Sequence, residues 1–268
     1  MAKELSGDGF EPVERIEGRA DAGVLLLCDH ASNALPQSYG TLGMAPADLA
    51  AHIGYDIGAA DLTRRLAAQL GAPALLTRFS RLLIDPNRGA QDPTLVMRLS
   101  DRRLIPGNAR IDAVEIGRRR ALYWQPYRVA IDDMIAELSA QGPIPAVISM
   151  HTFTPVWHGT ARPWQIGILW DNDPRLPRPL MAALEARGVV VGDNEPYDGA
   201  LPGDTLYEHV TARGLAGLLI EVRQDLVATP ETAHGWADLL ADVLPPILKR
   251  PEMHEIALGS SRAACGRR

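Results

Sequence analysis

The amino-acid sequence predicts an α/β fold in which a mixed, mostly parallel sheet lies between two layers of helices. Short apolar runs alternate with longer amphipathic segments along the 268 residues, which is the order expected of such a three-layer αβα architecture. Apolar residues make up 46% of the chain, enough to bury one large core, and no repeat or linker divides it. We therefore expect a single domain over residues 1–250, followed by a polar tail over residues 251–268.

Six segments have the composition of strands, because each is a short run of apolar and often β-branched residues. In chain order they cover residues 24–30, 73–85, 145–152, 165–170, 188–193 and 217–224. Four amphipathic segments predict helices, at residues 56–71, 113–142, 177–188 and 232–249. Gly71 and Gly142 are expected to end the first two helices, since glycine is the preferred residue just beyond a helix C-terminus.

The charge of the chain argues against a nucleic-acid partner. The net charge is −6 and the isoelectric point is near 5.6, without the stripe of lysine and arginine that a nucleic-acid binder needs. The first residues are polar and acidic, unlike a signal peptide, and no apolar stretch reaches the roughly 20 residues that span a membrane. Cys28 and Cys265 give no disulfide framework. We expect a cytoplasmic protein that acts on a small molecule.

Polar side chains follow three of the predicted strands. Asp29, His30 and Asn33 come at the end of the first strand, His151 ends the third, and Glu221 comes directly after the apolar start of the last. In open α/β sheets, ligands bind at the carboxyl ends of the strands, so these side chains are expected to meet. Two imidazoles with nearby oxygen ligands suit a hydrolytic zinc site, and a further carboxylate such as Glu221 suits the proton transfers.

The third protein ligand of such a site is open between two residues. Asn33 follows His30 by three positions, where a carboxylate would complete a metal-binding pair, but an amide is a weaker zinc ligand. Asp56 offers a carboxylate, although it could equally be the N-cap of the helix that follows it. Glu221 also has an alternative role, as a structural acid paired with Arg223.

A second group of candidate residues lies in the stretch RFSRLLIDPNRG, residues 78–89. Arg81 and Arg88 alternate there with apolar residues that are expected to anchor the segment in the sheet, and the DPNR sequence predicts a turn. A guanidinium held by such a turn can bind a carboxylate through two parallel hydrogen bonds, which indicates an anionic substrate. The alternative is a solvated arginine row paired with acids such as Asp85 and Asp92.

Five stretches, in this order, resemble the N-formylglutamate amidohydrolase family: CDHASNALP, HIGYDIGA, RFSRLLIDPNR, SMHTFTP and LLIEVRQDL. They span roughly residues 24–226, most of the chain. The resemblance implies hydrolysis of an N-formyl or N-acyl amino acid, with N-formyl-L-glutamate as the expected substrate, to the amino acid and formate or another acid. It also implies a fold similar to zinc-dependent exopeptidases.

The resemblance to zinc carboxypeptidases assigns roles by the order of residues along the chain. His30 and His151 match the two metal-binding histidines, and Glu221 matches the base. Between the histidines, Asn87 and Arg88 match the pair that binds the substrate carboxylate. Zn²⁺ is the implied cofactor, although other divalent ions accept the same ligands.

The chain departs from this pattern at Asn33, where the carboxypeptidases have a glutamate. Asp56 is the other candidate for the third zinc ligand, and Arg81 is a further candidate for the substrate carboxylate. Two alternatives to the expected activity stay open. One is a related deacylase for another N-acyl amino acid or short peptide, and the other is a binding protein that has lost catalysis.

Overall fold

The computed structural model describes residues 9–263, which build a seven-stranded mixed sheet with helices on both faces. The strands are β1 (Val13–Ile16), β2 (Val24–Cys28), β3 (Ala74–Thr77), β4 (Leu99–Ser100), β5 (Arg103–Leu104), β6 (Ala146–Phe153), β7 (Val156–Trp157), β8 (Thr160–Ala161), β9 (Ile166–Leu169), β10 (Val191–Asp193) and β11 (Gly217–Arg223). The α-helices are α1 (Pro46–Leu49), α2 (Ala59–Leu70), α3 (Ala113–Arg119), α4 (Gln125–Gln141), α5 (Pro177–Glu185), α6 (Thr205–His209) and α7 (Pro230–Leu248).

The strand order in the sheet is β1-β3-β2-β6-β11-β9-β10. Strands β3, β2, β6 and β11 run parallel to one another, and β10 runs parallel to β9. Strands β1 and β9 run antiparallel to their neighbours β3 and β11. Strands β4 and β5, like β7 and β8, form small hairpins apart from this sheet. The predicted α/β fold with a mixed, mostly parallel sheet is therefore confirmed.

Alternate side chains of the central strands enter two different helical layers. In β2, Leu26 and Cys28 belong to the cluster that contains α2, α5 and α7, whereas Leu25 and Leu27 pack against α4. Burial on both faces explains why this strand is apolar throughout rather than alternating. Among the described residues, the α4 cluster takes side chains from β2, β3 and β6 but none from β9 or β11. On that face of the sheet, the side chains of β9 and β11 are therefore not covered by α4.

The predicted helices are present with small changes at their ends. Helix α2 ends at Gly71, which adopts the expected left-handed conformation with φ of 62°. The long segment from residue 113 is α3 and α4 joined by a π-helical turn (Arg120–Trp124) just before Pro126, whose missing N–H and bulky ring disfavour regular α-helical bonding. No helix among residues 9–263 combines the length and apolar character needed to cross a membrane.

The predicted strand over residues 73–85 is wrong in its second half, because the chain leaves the sheet after Thr77. Ser80 fixes the departure, since its N–H donates to Ala34 O (2.8 Å) and its hydroxyl to Gly54 O (2.7 Å). Phe79 and Leu83 are buried, but in a separate cluster with Tyr123 rather than in the sheet. The turn predicted in the DPNR sequence is present.

Both ends of the described chain pack against this fold. Strand β1, which the sequence pattern did not predict, pairs with β3 over residues 13–16. In the predicted tail, Met253 is buried and Arg262 forms an ion pair with Asp198 (2.8 Å). The last part of that tail, including Cys265, lies outside the described residues.

We expect Gly167→Ala to lower the free energy of unfolding. Gly167 lies in β9. A Cβ atom there would come 2.1 Å from the backbone carbonyl oxygen of Glu195, in the loop after β10. Displacing backbone to make room should cost about 1–3 kcal/mol, which urea unfolding would measure.

The matched control is Gly235→Ala in α7, where a Cβ meets nothing within 4 Å. That substitution should stabilise the protein by about 0.5–1 kcal/mol, because glycine is a poor helix former. Equal effects of the two substitutions would contradict the close approach at Gly167.

Candidate active site

The candidate site lies where the central strands end, on the sheet face toward α4. Asp29 and His30 follow β2, His151 lies near the end of β6, and Glu221 near the end of β11. Strands β6 and β11 are neighbours, and their parallel register places Glu221 directly beside His151. Asp56 comes from the loop that precedes α2. The structure brings these five side chains together.

Asp56 joins the two histidines. Its Oδ2 atom lies 2.9 Å from Nδ1 of His151 and 3.3 Å from Nδ1 of His30. The two imidazole rings are nearly perpendicular, at 85°, with their centroids 4.9 Å apart. One ligand atom from each of the three residues lies within 4.8 Å of the others, and all three side chains are buried. Two imidazole nitrogens and one carboxylate oxygen are the donor set of a hydrolytic zinc site.

The Nε2 atom of each histidine, on the opposite side of the ring from the Nδ1 atom that faces Asp56, contacts another carboxylate. Nε2 of His30 lies 2.8 Å from Asp85 Oδ1, and Nε2 of His151 lies 2.9 Å from Asp29 Oδ2. Asp29 also accepts a hydrogen bond from Ser149 Oγ at 2.8 Å. A carboxylate behind a histidine fixes the ring orientation and tautomer and makes the inner nitrogen a better metal ligand. Both inner Nδ1 atoms are thereby directed at Asp56.

The buried charges at the site fit a divalent cation. Burial opposes ionisation of Asp29, but the hydrogen bond and charge of His151 outweigh it and lower the pKa to about 2. Burial also opposes ionisation of Asp56 and Asp85, whose pKa values are nevertheless lowered by the charge of His30 and of Arg81, respectively. Three ionised carboxylates thus outnumber the two guanidinium groups, those of Arg81 and Arg88, whose charges act on Asp85. The remaining negative charge has to be balanced by protonated imidazoles or by a bound cation.

Protonation supplies this balance in the absence of a metal. Burial disfavours the charged form of His151, but its hydrogen bonds to Asp29 and Asp56 raise its pKa well above the usual value. A divalent ion would take over the same role at the Nδ1 atoms, and its binding would displace protons. The residues present therefore fit zinc.

Glu221 is a buried carboxyl group that the rest of the site leaves unpaired. It is only 7% exposed, and its Oε2 atom has no hydrogen-bond partner among the described residues. Burial raises its pKa to about 8, against the opposing charge of His151. Arg223, the partner considered from the sequence, forms its ion pair with Asp225 at 2.8 Å. Glu221 is thus free to exchange a proton with a group in the cavity.

The DPNR turn presents donors to the same cavity. The N–H of Asn87 donates to Asp85 Oδ1 (2.9 Å), and its side-chain oxygen accepts from the N–H of Thr205 (3.0 Å). Its side-chain NH₂ has no partner among residues 9–263. Arg88 donates to Asn87 O at 2.9 Å and forms no ion pair with any described carboxylate. Arg81, in contrast, pairs with Asp85 (2.7 Å) and lies 3.6 Å from Asp56.

A cavity of about 490 Å³ opens over these groups. Apart from Asn33, every residue that the sequence proposed for catalysis, metal binding or substrate binding lines it. The Asn33 side chain donates to Leu49 O (3.1 Å) instead. Asp56 is not a helix cap, because the N-cap of α2 is Gly58 and its first turn receives no side-chain hydrogen bond. Of the two candidates for the third ligand, the structure places Asp56 with the histidines.

Sequence reasoning missed the residues that hold the ligands in place. Asp29 was noted at the strand end and Asp85 as a turn residue or arginine partner, but neither as the orienting acid of a histidine. Their positions beside His30 and in the DPNR turn were the available signals. Thr205, whose hydroxyl donates to Asp29 Oδ1 (3.1 Å), carried no signal in the sequence.

Comparisons with known proteins identify the family of this chain. The family model of N-formylglutamate amidohydrolase matches residues 22–228. A gene product from Agrobacterium tumefaciens has a similar structure, with 36% identity, a TM-score of 0.85, and coverage of 89% of this chain and 95% of the other. N-formylglutamate amidohydrolase from Ralstonia eutropha JMP134 shares the fold, with 19% identity, a TM-score of 0.70, and coverage of 90% and 98%. No curated protein matches the chain. The family match over most of the chain shows that this protein belongs to the N-formylglutamate amidohydrolase family, a family of hydrolases.

Proposed function

We propose that this protein is a zinc-dependent hydrolase that cleaves the amide bond of an N-formyl or other N-acyl amino acid. N-formyl-L-glutamate is the reference substrate, because the family takes its name from that activity. The observation that carries the proposal is the shared position of Asp56 between two oriented histidines, with the unpaired Glu221 beside them. The products are the free amino acid and formate, or the corresponding acid.

His30, Asp56 and His151 would hold the metal, with Asp85 and Asp29 orienting the two imidazoles. When bound, zinc would supply a Lewis acid for the amide carbonyl and lower the pKa of water. The supporting features are the donor set, the burial of all three ligands and the excess negative charge around them.

Glu221 is proposed to carry the proton. It would accept a proton from the attacking water and donate it to the leaving nitrogen as the carbon–nitrogen bond breaks. Burial raises the pKa of Glu221 in the metal-free site, and a bound cation beside it would favour the ionised form that accepts the proton. Its partnerless Oε2 atom supports this role, because a structural acid would be expected to have a hydrogen-bond partner.

Arg88 and Asn87 are proposed to bind the carboxylate of the substrate. A guanidinium without a carboxylate partner and an amide with unused N–H groups are suited to an anion. They would hold the amino acid so that its amide faces Glu221 and the metal ligands. Arg81 is less available, since Asp85 and Asp56 already balance its charge.

Replacing the proposed third ligand should weaken zinc binding. We expect Asp56→Ala to lower zinc affinity more than about 10-fold, because loss of a direct ligand should cost at least as much as loss of a residue that orients one. Titration of metal-free protein with zinc would measure the affinity. Asn33→Ala is the control and should retain the wild-type affinity. Loss of zinc in Asn33→Ala, with Asp56→Ala unaffected, would make Asn33 the ligand.

Glu221→Gln should lower kcat by about 10²–10⁴-fold, because the amide cannot accept a proton from water. The variant should still bind zinc with the wild-type stoichiometry, since Glu221 is not among the three metal ligands. Steady-state kinetics and metal analysis on the same preparation would check both statements. An active Glu221→Gln enzyme would remove the base assignment.

Arg88→Ala should raise KM by about 10-fold or more, because the substrate carboxylate loses a charge-assisted hydrogen bond. Arg78→Ala is the matched control, since Arg78 is an exposed arginine of the same segment that does not line the cavity. A normal KM in Arg88→Ala would exclude Arg88 from carboxylate binding.

The activity itself is tested by following release of free amino acid from N-formyl-L-glutamate and a panel of N-acyl amino acids. Metal-analysed protein is assayed with and without zinc and with a chelator. We expect turnover that the chelator abolishes and zinc restores. No turnover of any compound by the zinc-loaded protein would overturn the proposal in favour of a binding protein without catalysis.

A further inference from the structure

The floor of the cavity beyond Glu221 is apolar. Leu219 precedes Glu221 by two residues on β11 and therefore lies on the same face of the sheet, and it pairs in register with Leu169 on β9. The α4 layer leaves this part of the sheet uncovered, so both leucines line the cavity instead of a helix interface. Leu201, from the loop before α6, also lines the cavity.

The described cavity lining offers one unpaired cation outside the metal ligands, the guanidinium of Arg88. Arg81 lies between Asp85 and Asp56, and both carboxylates already pair with it. His52 faces Asp101 at 3.6 Å, and burial lowers its pKa, so it is neutral above its ordinary titration range. Arg162 acts on Glu221 through its charge but does not line the cavity, and it donates to Thr154 and Tyr197 instead. The lining itself therefore offers a cationic partner to only one carboxylate of a substrate.

The groups next to the apolar floor would also give a second carboxylate no positive charge to pair with. Asp198 and Asp204 line the cavity on the same loop as Leu201. Asp198 is paired with Arg262, and Asp204 accepts a hydrogen bond from the N–H of Tyr207 (2.6 Å) as the N-cap of α6. Burial raises the pKa of Asp204 to about 7, so this acid is partly neutral near neutral pH, and neither acid supplies a positive charge. A carboxylate placed there would lose its hydration without gaining a cationic partner, which is unfavourable.

We propose that the preferred substrate is an N-acyl amino acid with a single carboxylate and an apolar side chain, which packs on Leu169, Leu201 and Leu219. This inference rests on the proposed function and narrows its substrate class. Arg88 and Asn87 bind the α-carboxylate, and the side chain extends over the leucines. N-formyl-L-glutamate is then a poor substrate of this family member.

The test compares kcat/KM for three N-formyl amino acids of similar length with the zinc-loaded enzyme. N-formyl-L-methionine is apolar, N-formyl-L-glutamine is polar and neutral, and N-formyl-L-glutamate is charged. We expect methionine to exceed glutamate by at least about 10-fold, with glutamine between them, since a carboxylate without a partner costs more than a neutral amide.

A glutamate derivative hydrolysed as well as or better than the methionine derivative would overturn this inference and leave the proposed function intact. Failure to hydrolyse any N-acyl amino acid would overturn both. A methionine preference with glutamine equal to glutamate would also contradict the argument, because charge would then play no part.

Two variants test whether the leucines provide the preference. Leu219→Ala and Leu201→Ala should each lower the ratio of kcat/KM for N-formyl-L-methionine to that for N-formylglycine by about 5- to 10-fold, because glycine has no side chain to pack there. The ratio does not depend on the fraction of active enzyme, so partial loss of folding cannot imitate the effect. Leu201 is only half-buried in a loop, which makes it the safer substitution. An unchanged ratio in both variants would place the side chain elsewhere.

Discussion

Five buried side chains form a continuous chain in which carboxylates and imidazoles alternate: Asp85, His30, Asp56, His151 and Asp29. Each histidine is held between two acids, so rotating either ring would break its contacts with two buried carboxylates. The three acids together carry more charge than the two guanidinium groups beside them balance. This excess of negative charge is compatible with a divalent cation at the centre.

The sheet fixes the relative positions of the side chains at this site. His151 and Glu221 are register partners on neighbouring parallel strands, so hydrogen bonds between the strands fix their separation. Side chains alternate between the two faces of a strand, so Leu219 and Glu221, two residues apart, both point toward the cavity. Leu219, one of the three leucines of the apolar surface, thus lies on the same strand as the proposed proton carrier.

Much of this arrangement could be predicted from the sequence, because it depends on local patterns. Apolar runs located the central strands, and polar residues at their ends located His30, His151 and Glu221. The order of motifs along the chain located Arg88. What local pattern could not supply was which acid faces which ring: Asp85 is 55 residues from His30, and Asp29 is 122 residues from His151. The strand predicted through residue 85 failed for a similar reason, since long-range hydrogen bonds draw the chain away from the sheet.

Thr205, the first residue of α6, joins the two halves of the site. Its N–H fixes the side chain of Asn87, and its hydroxyl fixes Asp29, which in turn orients His151. The loop that carries Leu201 runs directly into this residue. The loop that lines the cavity and the residue that holds Asp29 are therefore coupled. A loop transplanted from a relative to change the substrate would also replace position 205. Such a graft would preserve the contact with Asp29 only if it brought a hydroxyl group to the same place.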